Sequence, residues 1–200
     1  MADAKGTILE VVAKPAPLEP RRFSLVSKRS PLKGTVYLLL DHSSSMADGQ
    51  KLIQVKRGAL RFFAEAYRRQ YAIGMIGFAQ TARCFLGATR NFYRFQKGLE
   101  HLQPGGSTAM SAAMRLGSKR LRWRRGYRAL LLITDGQPMY REHTLELARL
   151  IRAQGIELIA LGTDGADQDF LRALNPQAEL VGVRDLANQL SQLARSLPEA

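Results

Sequence analysis

The sequence predicts an α/β fold: a doubly wound, mostly parallel sheet of six strands with helices on both faces. Three observations carry this. TVYLLL (35–40), YAIGMIGFA (71–79), ALLLIT (129–134) and IELIALG (156–162) are nearly uninterrupted apolar runs. Such runs mark strands buried on both faces. Segments with apolar residues at helical spacing lie between them. That alternation implies parallel strands joined by crossover helices.

The elements follow in order. After the 35–40 strand, residues 50–69 carry Leu52, Val55, Ala59, Leu60, Phe62, Phe63 and Ala66 at helical spacing. The strand at 71–79 is followed within a turn by Thr81–Leu86, so the two should pair antiparallel, with 81–86 at the sheet edge. Residues 91–102 read as helical. Gly105-Gly106-Ser107-Thr108 is a glycine turn ahead of a helix at 109–121. The strand 129–134, a helix at 141–153, the strand 156–162 and a short helix at 167–174 come next. AELVGV (178–183) reads as a last short strand. The final helix, 185–197, starts at Asp185 and turns Leu186, Leu190, Leu193 and Leu197 inward.

Residues 1–33 differ in character. They hold Pro15, Pro17, Pro20 and Pro31 and only two short apolar runs. An extended arm or hairpin over 1–33, laid on a domain spanning 34–197, is expected.

Composition narrows the function classes. The 200 residues are 46% hydrophobic, enough for a packed core. No apolar run is long enough to span a bilayer, and the N-terminus does not read as a secretory signal. The single cysteine, Cys84, allows no internal disulfide and no cysteine-rich zinc site. A cytoplasmic location is expected from these features. The net charge of +13 suggests an acidic partner, nucleic acid or an anionic surface.

In an open α/β sheet, ligands sit beyond the carboxyl ends of the strands, where strand order reverses. Two of the apolar strands run straight into an aspartate there. Asp41-His42-Ser43-Ser44-Ser45-Met46 follows the first strand, and Asp135-Gly136-Gln137 follows the 129–134 strand. The chain here resembles the von Willebrand factor A family. The likeness is to its metal-ion-dependent adhesion site, made of D-x-S-x-S, a loop threonine and an aspartate after the central strand. Asp41, Ser43, Ser45, Thr108 and Asp135 stand at those positions in that order, and the resemblance runs over roughly 34–197. It implies the strand order 3-2-1-4-5-6, with Asp41 and Asp135 facing each other across neighbouring strands. Ser44 stands where the family commonly has glycine, and His42 where it has small or apolar residues.

The donor types agree with the implied ion. Mg2+, or Mn2+, takes oxygen ligands in octahedral geometry and keeps several waters. Three hydroxyls supply neutral oxygens, and two aspartates bind directly or through water. In the family, a Glu or Asp of the partner completes the shell. His42 is expected in the core or at the rim, with its ring on neighbouring backbone rather than on the metal.

Enzymatic readings fare worse. A haloacid-dehalogenase-type phosphatase needs a second aspartate where this chain has Ser43. The glycine turn at 105–108 lacks the lysine of a P-loop, and no G-x-S-x-G elbow occurs. The only histidines are His42, His101 and His143, none with an evident serine partner. Cys84 reads as an edge-strand thiol. The expectation is a binding module, not an enzyme.

Basic residues cluster at helix ends and strand starts, opposite the expected metal site. Lys119, Arg120, Arg122, Arg124, Arg125 and Arg128 lie close together, with Trp123 and Tyr127 interleaved. Helix-dipole complementation accounts for two or three cations. The rest suggest a second surface for an acidic protein or nucleic acid. The resemblance further implies an AAA+ ATPase of the MoxR or magnesium-chelatase type as partner, with nucleic-acid association through Lys119–Arg128 as the alternative.

Overall fold

The computed structural model describes residues 31–136 and 138–199. The strands are β1 (Gly34–Asp41), β2 (Tyr71–Phe78), β3 (Ala82–Thr89), β4 (Tyr127–Thr134), β5 (Glu157–Gly162) and β6 (Glu179–Leu180). The helices are α1 (Lys51–Arg68), α2 (Phe92–Glu100), α3 (Met110–Leu121), α4 (Arg141–Ala153), α5 (Gln168–Leu174) and α6 (Leu186–Arg195). The strands form one sheet in the order β3-β2-β1-β4-β5-β6. All pairs are parallel except β2 with β3. The expected architecture and strand order are therefore those observed.

Strand geometry explains why the central runs are apolar throughout. Successive side chains of a strand point to opposite faces. Val36, Leu38 and Leu40 of β1 join Ala129, Leu131 and Ile133 of β4 in a core with α1 and α6. Tyr37 and Leu39 join Leu130 and Leu132 in the opposite core, with α3, α4 and α5. Both faces are covered, so Val36–Leu40 and Ala129–Ile133 carry no charged side chain, and the buried carboxylates come only at the strand ends. Those carboxylates are Asp41, the last residue of β1, and Asp135, just after β4.

The helices bury the faces their spacing defines. α1 buries Leu52, Val55, Ala59, Phe62, Phe63 and Ala66. α6 buries Leu186 and Leu190, and Leu197 beyond its end is also buried. The C-terminal segment is tied down by Arg69, which donates to the Leu197 carbonyl at 2.6 Å, and by the Tyr71 hydroxyl, which donates to the Pro198 carbonyl at 2.7 Å. α2 is capped by Asn91, whose side chain accepts the Arg94 N–H at 3.0 Å.

Three details differ from the sequence reading. The strand expected at 178–183 shrinks to Glu179–Leu180, which pair with Leu161 and Gly162 only. At a sheet edge, with both residues exposed, apolar alternation finds no second partner. The antiparallel strand runs over Ala82–Thr89 rather than 81–86. Ser44–Gln50, expected as loop and helix start, is a 3-10 segment that meets α1 at Gln50, whose φ is 63°.

Most of the arm expected over 1–33 lies outside the described residues. Lys33, just before β1, donates its N–H to the Gln70 carbonyl at 3.1 Å. Among the described residues no helix is long and apolar enough to cross a membrane.

Candidate metal centre

β1 and β4 are hydrogen-bonded neighbours, so their carboxyl ends deliver Asp41 and Asp135 side by side. Asp41 is fully buried. One carboxylate oxygen accepts the Ser43 N–H at 2.8 Å, which folds the loop back over the strand end. The other accepts the Thr134 hydroxyl at 2.5 Å. Thr134 in turn accepts the Gly136 N–H at 3.0 Å, which fixes the turn after Asp135.

A chain of polar contacts links the two aspartates. Ser43 Oγ lies 3.1 Å from Ser45 Oγ, and the Ser45 hydroxyl donates to Asp135 Oδ1 at 2.7 Å. The other oxygen, Asp135 Oδ2, accepts from Lys51 Nζ at 2.7 Å. Asp135 is buried and Lys51, the first residue of α1, is half-buried.

Thr108 arrives from a different element. Gly105 donates its N–H to the His42 carbonyl at 2.8 Å, and Ser44 donates its N–H to the Gly106 carbonyl at 3.0 Å. These bonds pin the 105–108 turn to the 42–44 loop. Gly106 has φ +82°, and an added Cβ would stand 3.0 Å from Gln80 N, so both backbone and space require glycine there. Gly136 shows where Thr108 points. A Cβ at Gly136 would stand 3.3 Å from Thr108 Oγ1 and 3.7 Å from Asp41 Oδ2. The missing side chain keeps open the space that Thr108 and Asp41 share.

All five expected ligand residues thus come to one place. Asp41, Ser43 and Asp135 are buried, Thr108 is half-buried, and Ser45 is exposed, so the site opens outward past Ser45 and Thr108. The residues not anticipated are Thr134 and Lys51. His42 does not join them. Its Nδ1 donates to the Gln103 carbonyl at 2.7 Å and its ring meets Phe85 edge-on. Met46 is fully buried, whereas Met139 and Tyr140, in the segment between β4 and α4, are exposed.

Electrostatics favour a cation here. Burial holds the Asp41 carboxyl above the ordinary carboxylate range. The neighbouring Asp135 charge pushes the same way, while hydrogen bonds from Ser43 and Thr134 oppose both. Two carboxylates lie near one another with Lys51 as one built-in counter-charge. The donor set is oxygen only. Among the described residues no group of three or more His, Cys, Asp or Glu could hold a metal. Carboxylates and hydroxyls without nitrogen or sulfur suit a hard cation of the magnesium or manganese kind.

Comparison with known proteins places the fold. A sequence profile of the von Willebrand factor type A domain matches residues 36–137. No curated protein matches the chain. Solved structures share the fold at low identity. The vWF domain of the type V pili tip protein Mfa5 from Porphyromonas gingivalis is 10% identical with TM-score 0.75, over 82% of this chain and 95% of that one. BatB from Bacteroides thetaiotaomicron is 22% identical with TM-score 0.65, over 81% and 99%. The manganese-loaded TRAP protein of Plasmodium vivax is 20% identical with TM-score 0.69, over 82% and 73%.

Proposed function

This chain belongs to the von Willebrand factor type A domain family, and from that premise we propose that it is a protein-binding module working through a divalent ion, Mg2+ or Mn2+. The observation that carries this reading is the convergence of Asp41, Ser43, Ser45 and Asp135 in one chain of contacts, with Thr108 facing Asp41 across Gly136. The manganese-loaded TRAP protein, similar in fold, supports the choice of ion.

When bound, the ion offers an electrophilic position to a carboxylate of the partner. The chain's own residues prepare that position. Ser43, Ser45 and Thr108 supply oxygens that carry no charge. Asp41 is held rigidly by Ser43 and Thr134, so its orientation is set before any ligand arrives. Lys51 offsets part of the negative charge of Asp135. An exposed Asp or Glu of a partner then meets a site that is not already saturated with anions. Met139 and Tyr140, exposed in the segment that follows Asp135, would supply apolar contact.

We read the module as non-catalytic and cytoplasmic. Its donor set lacks a nucleophile–base pair, and its lone thiol, Cys84, suits a reducing compartment. The resemblance points to an AAA+ ATPase of the MoxR or magnesium-chelatase type as the first partner to seek. Nucleic-acid association through Lys119–Arg128 is the alternative. The test is recovery of partners by tagged protein from its own cell, in Mg2+ and then in EDTA. A partner retained in Mg2+, and lost in EDTA and by Thr108→Ala, is expected. Equal recovery in EDTA would overturn the metal bridge.

A further inference from the structure

The basic segment after α3 does not stand alone. It forms one wall of an open groove of about 1010 Å³ between α3 and α4. α3 contributes Arg115 and Lys119, and the chain beyond it Arg122, Trp123 and Arg128. α4 contributes Leu147 and Leu150 from the other side. The last turn of α3 and the start of β4 lie at the edge of the sheet opposite Asp41 and Asp135, so this end of the groove is remote from the metal centre.

Two features of the groove call for a partner. The first is exposed apolar surface. Trp123 is 82% exposed and Leu150 55% exposed, and both line the groove. Tyr127 is not part of it: its hydroxyl donates to Glu157 and its ring packs edge-on against Tyr71. The second is uncompensated charge. Among the described residues none of Arg115, Lys119, Arg122 and Arg128 forms an ion pair. Glu146 is the only carboxylate in the lining. Arg128 is spent on the Gln154 carbonyl at 2.7 Å, and Arg115 donates to His143 at 3.0 Å. Lys119 stays available, and Arg122 lies over the Trp123 ring, 4.9 Å from its centroid.

We infer that this groove binds an acidic amphipathic helix of a partner protein, apolar side chains on Leu147, Leu150 and Trp123 and carboxylates toward Lys119 and Arg122. Charge selects the occupant. A second copy of this chain, at net +13, would be repelled. Residues 1–30 carry six Lys and Arg against three Asp and Glu, so the chain's own N-terminal segment has the wrong sign. Shape selects a helix over a nucleic-acid strand. Leucines on α4 give one apolar wall and the groove holds a single aromatic ring, whereas a strand of bases calls for successive stacking platforms. From His143 in α4 to Gln154 just past its end, the lining spans about 16 Å at the rise of a helix, enough for three turns of a docked helix.

The sole tryptophan makes the groove directly observable. The probe is a tryptophan-free peptide of about 14 residues, roughly four helical turns, with Leu at i, i+4, i+7 and i+11 and Glu elsewhere. It is titrated into the full chain in EDTA, with a scrambled peptide and an oligo(dT) of equal length in parallel. Binding of the amphipathic peptide with a blue shift of Trp123 emission is expected. Leu150→Glu and the pair Lys119→Glu, Arg122→Glu should each weaken it about tenfold or more. Both changes are at exposed positions, and circular dichroism confirms that the variants fold. Oligo(dT) binding with Trp123 quenched, while the peptide fails, would replace this proposal with a nucleic-acid surface. Equal binding of the scrambled peptide, or no binding of any probe, would overturn it. Because the titration is run in EDTA, its outcome does not depend on the metal centre.

Discussion

Lys51 Nζ stands 2.7 Å from Asp135 Oδ2, while the other oxygen of the same carboxylate accepts from Ser45. The chain's own ammonium therefore shares an aspartate with the proposed ligand set. A unit charge about 4 Å away is worth several kcal/mol at the effective dielectric of a protein surface. Lys51→Gln keeps length and polarity but removes that charge. Mg2+ affinity by calorimetry should rise about tenfold, or ~1.4 kcal/mol. Unchanged or weaker affinity would show that Lys51 serves only to orient Asp135.

Asp41 should trade stability for binding. Burial raises its folded-state pKa above the ordinary 3.8. For a raised pKa, the favourable contribution is complete below the unfolded value and is lost as pH rises through the folded one. In EDTA, Asp41→Asn should therefore gain on the parent as pH rises from the ordinary carboxylate value. Thermal unfolding near neutrality should find the variant at least as stable. In Mg2+ the order should reverse, because only the parent gains linkage stabilisation, about 2.7 kcal/mol at a hundred times Kd. A variant stabilised by Mg2+ as much as the parent would place the ion elsewhere.

Gly136 offers a sharper probe because its glycine serves space rather than backbone. Its φ is not among the positive values, yet a Cβ would stand 3.3 Å from Thr108 Oγ1. Gly136→Ala should leave the unfolding free energy in EDTA within about 1 kcal/mol of the parent. Mn2+ affinity should fall roughly tenfold, since small displacements of ligand oxygens are poorly tolerated. A large stability loss with intact affinity would contradict this reading.

The legible part of the chain was the part governed by local pattern. Val36 to Leu40 and Ala129 to Ile133 are apolar because both sheet faces are covered, so the aspartates that end those runs stand out. Thr108 was visible through a family resemblance and through Gly105-Gly106 before a helix. Lys51 was not, since its carboxylate is 84 residues away and it reads as one more cation at a helix start. Thr134 was hidden as the last residue of an apolar strand, where nothing local marks its hydroxyl as the partner of Asp41. AELVGV shows the opposite failure: a good strand pattern with partners for Glu179 and Leu180 alone. Trp123 and Tyr127, interleaved with the same arginines, separate in space into an exposed ring and a half-buried, hydrogen-bonded one.

The most direct measurement is titration of Mn2+ into chelator-stripped protein, with free ion read by electron paramagnetic resonance. One ion bound per chain is expected for the parent, with binding lost in Asp41→Asn and weakened about tenfold or more in Thr108→Ala. Mg2+ should compete for the same site. No bound Mn2+ at millimolar concentration, or parent-like binding by both variants, would contradict a metal centre built from Asp41, Ser43, Ser45, Thr108 and Asp135.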